Sequence, residues 1–251
     1  MLELTDKIIA VLLVSLRIAP TLAFAYPFTL VRIPATVRVM LGIGFAAWLV
    51  AGNPAQSWQA DFRAHGLALT MLGELFLGVA LSLSLQLAFA ALLTAGRAID
   101  IEAGFGLAVL VDPSTQSQLP LVGTFFAYAA GMVFFATGGP ADLLAIWSDS
   151  LVRVPLGSAA IGGDPAVLGA YTSAVFVIAF GLGGLIMLAL FLADLTIAFL
   201  SRTLPQMNVM LLGFQVKAIV TLALLPMTIA LSGALFLRLL RYALDSAAML
   251  A

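Results

Sequence analysis

The 251-residue sequence is 63% hydrophobic and 9% charged, with a formal net charge of −1. Soluble domains carry about a quarter charged residues, so this composition excludes an ordinary soluble domain and points to an integral membrane protein. The near-neutral charge gives no footprint for nucleic acid, and a chain without cysteine has no disulfide, thiolate nucleophile or thiolate metal ligand.

In chain order, the hydropathy pattern predicts an all-α, integral-membrane-type protein with about six long hydrophobic helices, some broken or kinked. The six apolar segments are Ile8–Leu30, Pro34–Ala51, Gly66–Gly96, Leu119–Thr137, Tyr171–Leu200 and Val209–Leu237. The run Val11–Phe24, followed by Ala25, has the outline of a secretory leader. However, Glu3 and Asp6 flank Lys7 where a basic leader belongs, and Arg17 and Pro20 interrupt the run. It is read as the first membrane helix. A span needs about 20 apolar residues, so the third and fifth segments should tilt, kink or project. The glycines of the fifth (Gly181, Gly183, Gly184) offer a bend or a close contact. Loops are expected at Gly52–His65, Gly138–Pro140 and Leu156–Pro165, where Gly, Pro or Asn break the pattern. The last is the most plausible internal boundary, giving regions 1–165 and 166–251.

The short loops should set orientation through Lys and Arg. With alternate crossing, one side holds Lys7, Arg63, Arg153, Arg238 and Arg241, and the other Arg32, Arg38, Arg97, Arg202 and Lys217. The tie gives no preferred orientation.

Between the third and fourth segments lies GFGLAVLVDPSTQSQLP, Gly104–Pro120. Two glycines free the backbone, Pro113 biases Asp112 away from helix, and Pro120 sets the next boundary. Irregular backbone at membrane depth is tolerated only where protein or a water-filled cavity surrounds it. A loop apolar in its first half and polar in its second suits a pore.

Charged and polar groups also sit inside the apolar segments. Arg17, Glu74, Asp194 and Lys217 would be costly facing lipid, so each is expected to face protein or water. Glu74, Gly78, Ser82 and Gln86 recur every four residues, with Arg97 farther on, and form a winding seam on one side of the third segment. Small and polar groups of this kind glue helices together; a hydrophilic path for a substrate is the sharper alternative. Ala189 and Ala193 make a small-xxx-small contact beside Asp194.

Enzyme chemistry has little support. The one histidine, His65, lies at a loop edge, and no Walker-type loop, G-x-S-x-G or paired metal-binding His is present. Asp112, Asp142 and Asp149 read as loop and cap residues, and Met207 and Met210 as core fillers. No cofactor or metal is expected.

Four clusters together resemble the FliR family of flagellar export-gate proteins, whose injectisome counterpart is SctT. The first is RIAPTLAFAYPFTLVRIPATVR, with Arg17, Pro20, Pro27, Pro34 and Arg38. The second runs from Glu74 and Gly78 through Ala95-Gly96 and Gly104 to Asp112-Pro113, Gln118 and Pro120. The third is Gly138-Gly139-Pro140 with SDSLVRVPLG, and the fourth LADLTIAFLSRTLPQMNVMLLGFQVK, holding Asp194, Arg202, Pro205, Gln206, Asn208, Gly213 and Lys217.

The resemblance implies a non-catalytic structural and gating subunit of the flagellar type III export channel, in the basal body at the bacterial inner membrane. It implies FliP-like and FliQ-like partners, FlhB-like and FlhA-like export components, unfolded protein substrates and membrane lipid. Region 1–165 resembles a FliP-like unit and 166–251 a FliQ-like hairpin. The stretch Gly104, Phe105, Gly106, Leu107, Ala108, Val109, Leu110, Val111, Asp112 and Pro113 would plug the closed pore. Arg17, Arg38, Glu74, Ser82, Gln86, Asp194, Arg202, Gln206, Asn208 and Lys217 would make buried polar or assembly contacts. RIPATVR and GFQVK favour flagellar over injectisome membership. The competing readings are an SctT-type subunit, a small-solute transporter using Glu74, Asp194 and Lys217 as coupling charges, and a passive membrane scaffold.

Overall fold

A computed structural model describes residues 2–30, 33–54, 66–105, 120–158, 165–203 and 209–250. Among the described residues the protein is all-α, as the hydropathy pattern predicts. Its helices are α1 (Leu2–Phe24), α2 (Ala35–Gly52), α3 (Leu67–Ala103), α4 (Leu121–Ala136), α5 (Gly139–Arg153), α6 (Pro165–Thr203), α7 (Val209–Leu231) and α8 (Gly233–Leu250). Five of them, α1, α2, α3, α6 and α7, are long and apolar enough to cross a membrane. The bent pair α4 and α5, turning by 72°, makes a sixth if it counts as one span. With 37 and 39 residues, α3 and α6 are about 55–60 Å long, well beyond a hydrocarbon core of about 30 Å.

The sequence expectation differs from the structure at three places. The first segment ends its helix at Phe24, and residues 25–30 form turns around Pro27. The helix α5 has no counterpart among the six apolar segments, because Asp142, Ser148, Asp149 and Arg153 dilute its apolar residues. It is amphipathic, burying Leu143, Ile146, Trp147, Ser150 and Leu151 on one face. The last segment breaks at Ser232, and α8 then continues past Leu237 with Arg238, Arg241 and Asp245 exposed.

Two compact units emerge from the packing. The first comprises Met1–Leu87, Phe134–Thr172 and Leu240–Ala251, and the second Ala88–Val133 and Ser173–Leu239. In the first, α1 packs on α2, and Leu13, Val14, Ile18, Leu49, Leu85, Leu151 and Ala243 are buried. The Phe28 ring meets Phe134 and Phe135 edge-on, and Phe45 packs against Trp147. Gly138, at φ 86°, turns the chain from α4 into α5, with Pro140 in the first turn. In the second unit the buried residues include Phe89, Leu92, Ile99, Phe126, Leu182, Ile186 and Phe236. The helix α6 runs unbroken through its glycines, and a methyl at Gly183 would stand 2.9 Å from Ile99 Cδ1. Gly183 therefore serves close packing.

Candidate functional site

The first unit is pinned by a buried ion pair. Arg17 projects from the middle of α1 and Glu74 from the first half of α3, and both side chains are essentially inaccessible. Arg17 Nε and Nη2 each lie 2.7 Å from Glu74 Oε2. Arg17 Nη1 donates to Ser150 Oγ at 3.2 Å and Nη2 to the Val154 carbonyl at 3.0 Å. Glu74 Oε1 accepts the Gly157 N–H at 3.1 Å, with Gly157 at φ +85°. The Ser150 hydroxyl donates onward to the Trp147 carbonyl. Both carboxylate oxygens are occupied, and the guanidinium also satisfies a carbonyl just past the end of α5. A buried charge pair is tolerable only when its remaining donors and acceptors are satisfied in this way. The close approach of α1 and α3 depends on Gly78, where a methyl would sit 2.4 Å from the Arg17 carbonyl oxygen.

In the second unit, the chain entering and leaving the stretch 106–119 is held at both ends. Gly104, at φ +85°, closes α3 with two bonds: its N–H to the Ile101 carbonyl at 3.1 Å, and the Phe105 N–H to the Asp100 carbonyl at 2.8 Å. This pairing satisfies two carbonyls of the last turn. A third, that of Glu102, accepts from Lys217 Nζ at 3.1 Å, and the same ammonium lies 2.6 Å from Asp194 Oδ1. A cation at a helix C-terminus also matches the helix dipole. Three residues back on α7, the Phe214 ring meets Phe105 edge-on at 6.4 Å, so one face of α7 carries both contacts.

The exit is tied to the same turn. Asp100 Oδ1 accepts the N–H of Val122, the second residue of α4, at 3.2 Å. This is one of the helix-start donors that lack an intrahelical partner. One turn before Asp100, Gly96 crosses Gly123 so closely that a methyl at Gly96 would lie 2.1 Å from the Gly123 Cα. Asp100 thus holds both ends, the entry through its carbonyl and the exit through its carboxylate.

Residues 8–243 match the family described as bacterial export proteins, family 1. The chain belongs to that family. It is 29% identical over 231 residues to the flagellar biosynthetic protein FliR of Bacillus subtilis (strain 168), covering 89% of this chain and 87% of the relative. It is 26% identical over 228 residues to FliR of Aquifex aeolicus (strain VF5), covering 90% and 87%. It is also 29% identical over 172 residues to Yop proteins translocation protein T of Yersinia pestis, covering 66% and 64%. These relatives bear out the FliR and SctT resemblance read from the sequence.

Within this export-family chain, the structure brings Arg17 to Glu74 and Asp194 to Lys217. Among the described residues, the other polar positions singled out from the sequence are not bonded to either pair. Arg38 Nη1 donates to the Ala23 carbonyl at the end of α1. Ser82 bonds back to the Val79 carbonyl, Gln86 is half-buried, and Arg97 and Arg202 are exposed. Glu74 and Gly78 therefore belong to a helix–helix contact, whereas the rest of the seam joins no common polar cluster among the described residues. Of the predicted plug, Gly104 and Phe105 are described. Gly106, Leu107, Ala108, Val109, Leu110, Val111, Asp112 and Pro113 lie outside the described residues, as do Gln206 and Asn208. Sequence reasoning missed Asp100, Glu102, Ser150 and Phe214. The available signal for Asp100 was its place one turn before a helix-ending glycine.

Proposed function

We propose that this chain is a structural and gating subunit of a type III protein-export apparatus, of the flagellar kind, resident in the bacterial inner membrane and without catalytic activity of its own. The match to the bacterial export proteins over residues 8–243 carries this reading, supported by relatives named FliR over most of their length. In it, the chain joins FliP-like and FliQ-like subunits and works with FlhA-like and FlhB-like components. Residues 1–165 form the FliP-like part and 166–251 the FliQ-like part. The stretch 104–113 closes the passage for unfolded substrate. The double attachment at Asp100 supports that role, since it fixes the points where the chain enters and leaves that stretch. An apolar constriction blocks ions by dewetting, and glycines at its base let it swing aside. The likeness to Yop translocation protein T keeps the injectisome as the second reading.

The test purifies the tagged full chain with its neighbours from native membranes and images the particle. A fixed-ratio assembly with two small hydrophobic membrane proteins, and residues 104–113 across its central passage, is the expected result. A lipid-embedded monomer contradicts it.

A further inference from the structure

We propose that Phe214 is a positioning residue for the closure: its ring holds Phe105, the second residue of the stretch 104–113, and lets it go during export. The inference rests on the gating reading above and names one part of its machinery.

Three contacts meet where the chain leaves α3, all within the second unit. Two are polar. Lys217 donates to the Glu102 carbonyl while bonded to Asp194, and the Phe105 N–H donates to the Asp100 carbonyl. Both hold backbone and leave the direction of the Phe105 side chain open. The third is the ring contact, edge-on at 82° with centroids 6.4 Å apart. Phe214 is the one aromatic residue of α7. The same ring constrains the backbone, since a methyl at Gly104 would stand 3.2 Å from Phe214 Cδ2. Gly104 is thus needed twice, for its left-handed turn and for the room it leaves to the ring.

Exposure marks the ring contact as the one that opens. Phe214 is 45% exposed and Phe105 half-buried, although they touch. The core rings Phe89, Phe126, Phe134 and Phe236 are, by contrast, fully buried. Separating a half-open pair uncovers little new apolar surface. Breaking the bonds at the buried Asp100 would instead strand polar groups. Gly104, free to take either sign of φ, supplies a pivot directly beside the ring. The polar bonds therefore fix where the stretch begins, and the Phe105–Phe214 contact fixes which way it leaves α3.

The test uses the full chain in its native assembly, with leak of small ions and secretion of export substrates read side by side. Phe214→Ala should raise the leak by about 2- to 12-fold, the population shift that an edge-on ring pair supports. Phe214→Tyr, which keeps a ring, should remove most of that rise. Phe105→Leu should leak like Phe214→Ala, and the double variant no more than either. The chain has no cysteine, so Phe105→Cys with Phe214→Cys can be bridged by a reversible thiol cross-linker. Bridging should stop secretion and reduction should restore it, a result that a purely structural contact would not give. Secretion undiminished by bridging overturns the proposal, and so does wild-type leak with Phe214→Ala. If Phe214→Ala fails to assemble, the bridged pair decides. Deleting residues 106–111 separates the two levels of the account. Leak there with none in Phe214→Ala defeats this inference alone, and no leak in either defeats the gating reading as well.

Discussion

Asp100 and Val122 lie 22 residues apart and are joined by a 3.2 Å bond from the Val122 N–H to the Asp100 carboxylate. Val122 is fully buried, so losing this acceptor strands a donor with no water to replace it. Asp100→Ala should destabilise the second unit by about 1–3 kcal/mol. Asp100→Asn, which keeps an acceptor oxygen, should cost less. Denaturant titration of the detergent-solubilised protein measures both, and equal costs would contradict the capping role.

The Arg17–Glu74 pair gives a prediction of different form. Removing one member leaves the other charge buried and unmatched, so Arg17→Met or Glu74→Leu alone should cost about 3–5 kcal/mol. Removing both should recover much of that loss, because an apolar pair of similar volume needs no desolvated charge. A double variant as unstable as the sum of the singles would contradict the pairing. The readout is the unfolding midpoint of the three variants side by side.

Three glycines separate packing from propensity. At Gly78 and Gly96 an added methyl would meet backbone at 2.4 Å and 2.1 Å, and backbone cannot step aside cheaply. Alanine at either should cost about 1–3 kcal/mol as overpacking. Gly44, inside α2, has nothing within 4 Å. Alanine there should stabilise by about 0.5–1 kcal/mol through helix propensity. The same midpoint assay checks all three.

Much of the fold was legible because hydrophobic runs mark long membrane-type helices whatever their partners. The helices that escaped are the amphipathic ones. In α5 the buried Leu143, Ile146, Trp147, Ser150 and Leu151 keep helical spacing, but intervening charges lower the average below the level of a span. In α8 the pattern Phe236, Leu239, Leu240, Ala243 was likewise readable, and only the preceding Ser232-Gly233 break was hidden inside an apolar run. For the site, chemistry showed that Arg17, Glu74, Asp194 and Lys217 needed shelter, yet not which would meet. Pairing across 57 residues depends on how helices cross, and that depends on a bare glycine such as Gly78. Asp100 looked like any charge near a helix end, because its partner is a backbone N–H on the far side of a loop.

Lys217 supplies a functional prediction. Lys217→Met removes the ammonium that takes the Glu102 carbonyl and balances Asp194. Export should fall markedly, and Lys217→Arg should restore a large part of it by keeping the charge. Secretion of export substrates, normalised to the amount of chain in the membrane, measures the effect. Wild-type secretion by Lys217→Met would show that this anchor has no part in transport.

The most direct measurement deletes this chain from the bacterium that encodes it and quantifies type III substrates outside the cell, with filament assembly scored alongside. Loss of both, restored by the wild-type chain, is the predicted result. Undiminished secretion in the deletion strain would contradict the assignment of this protein to the export apparatus.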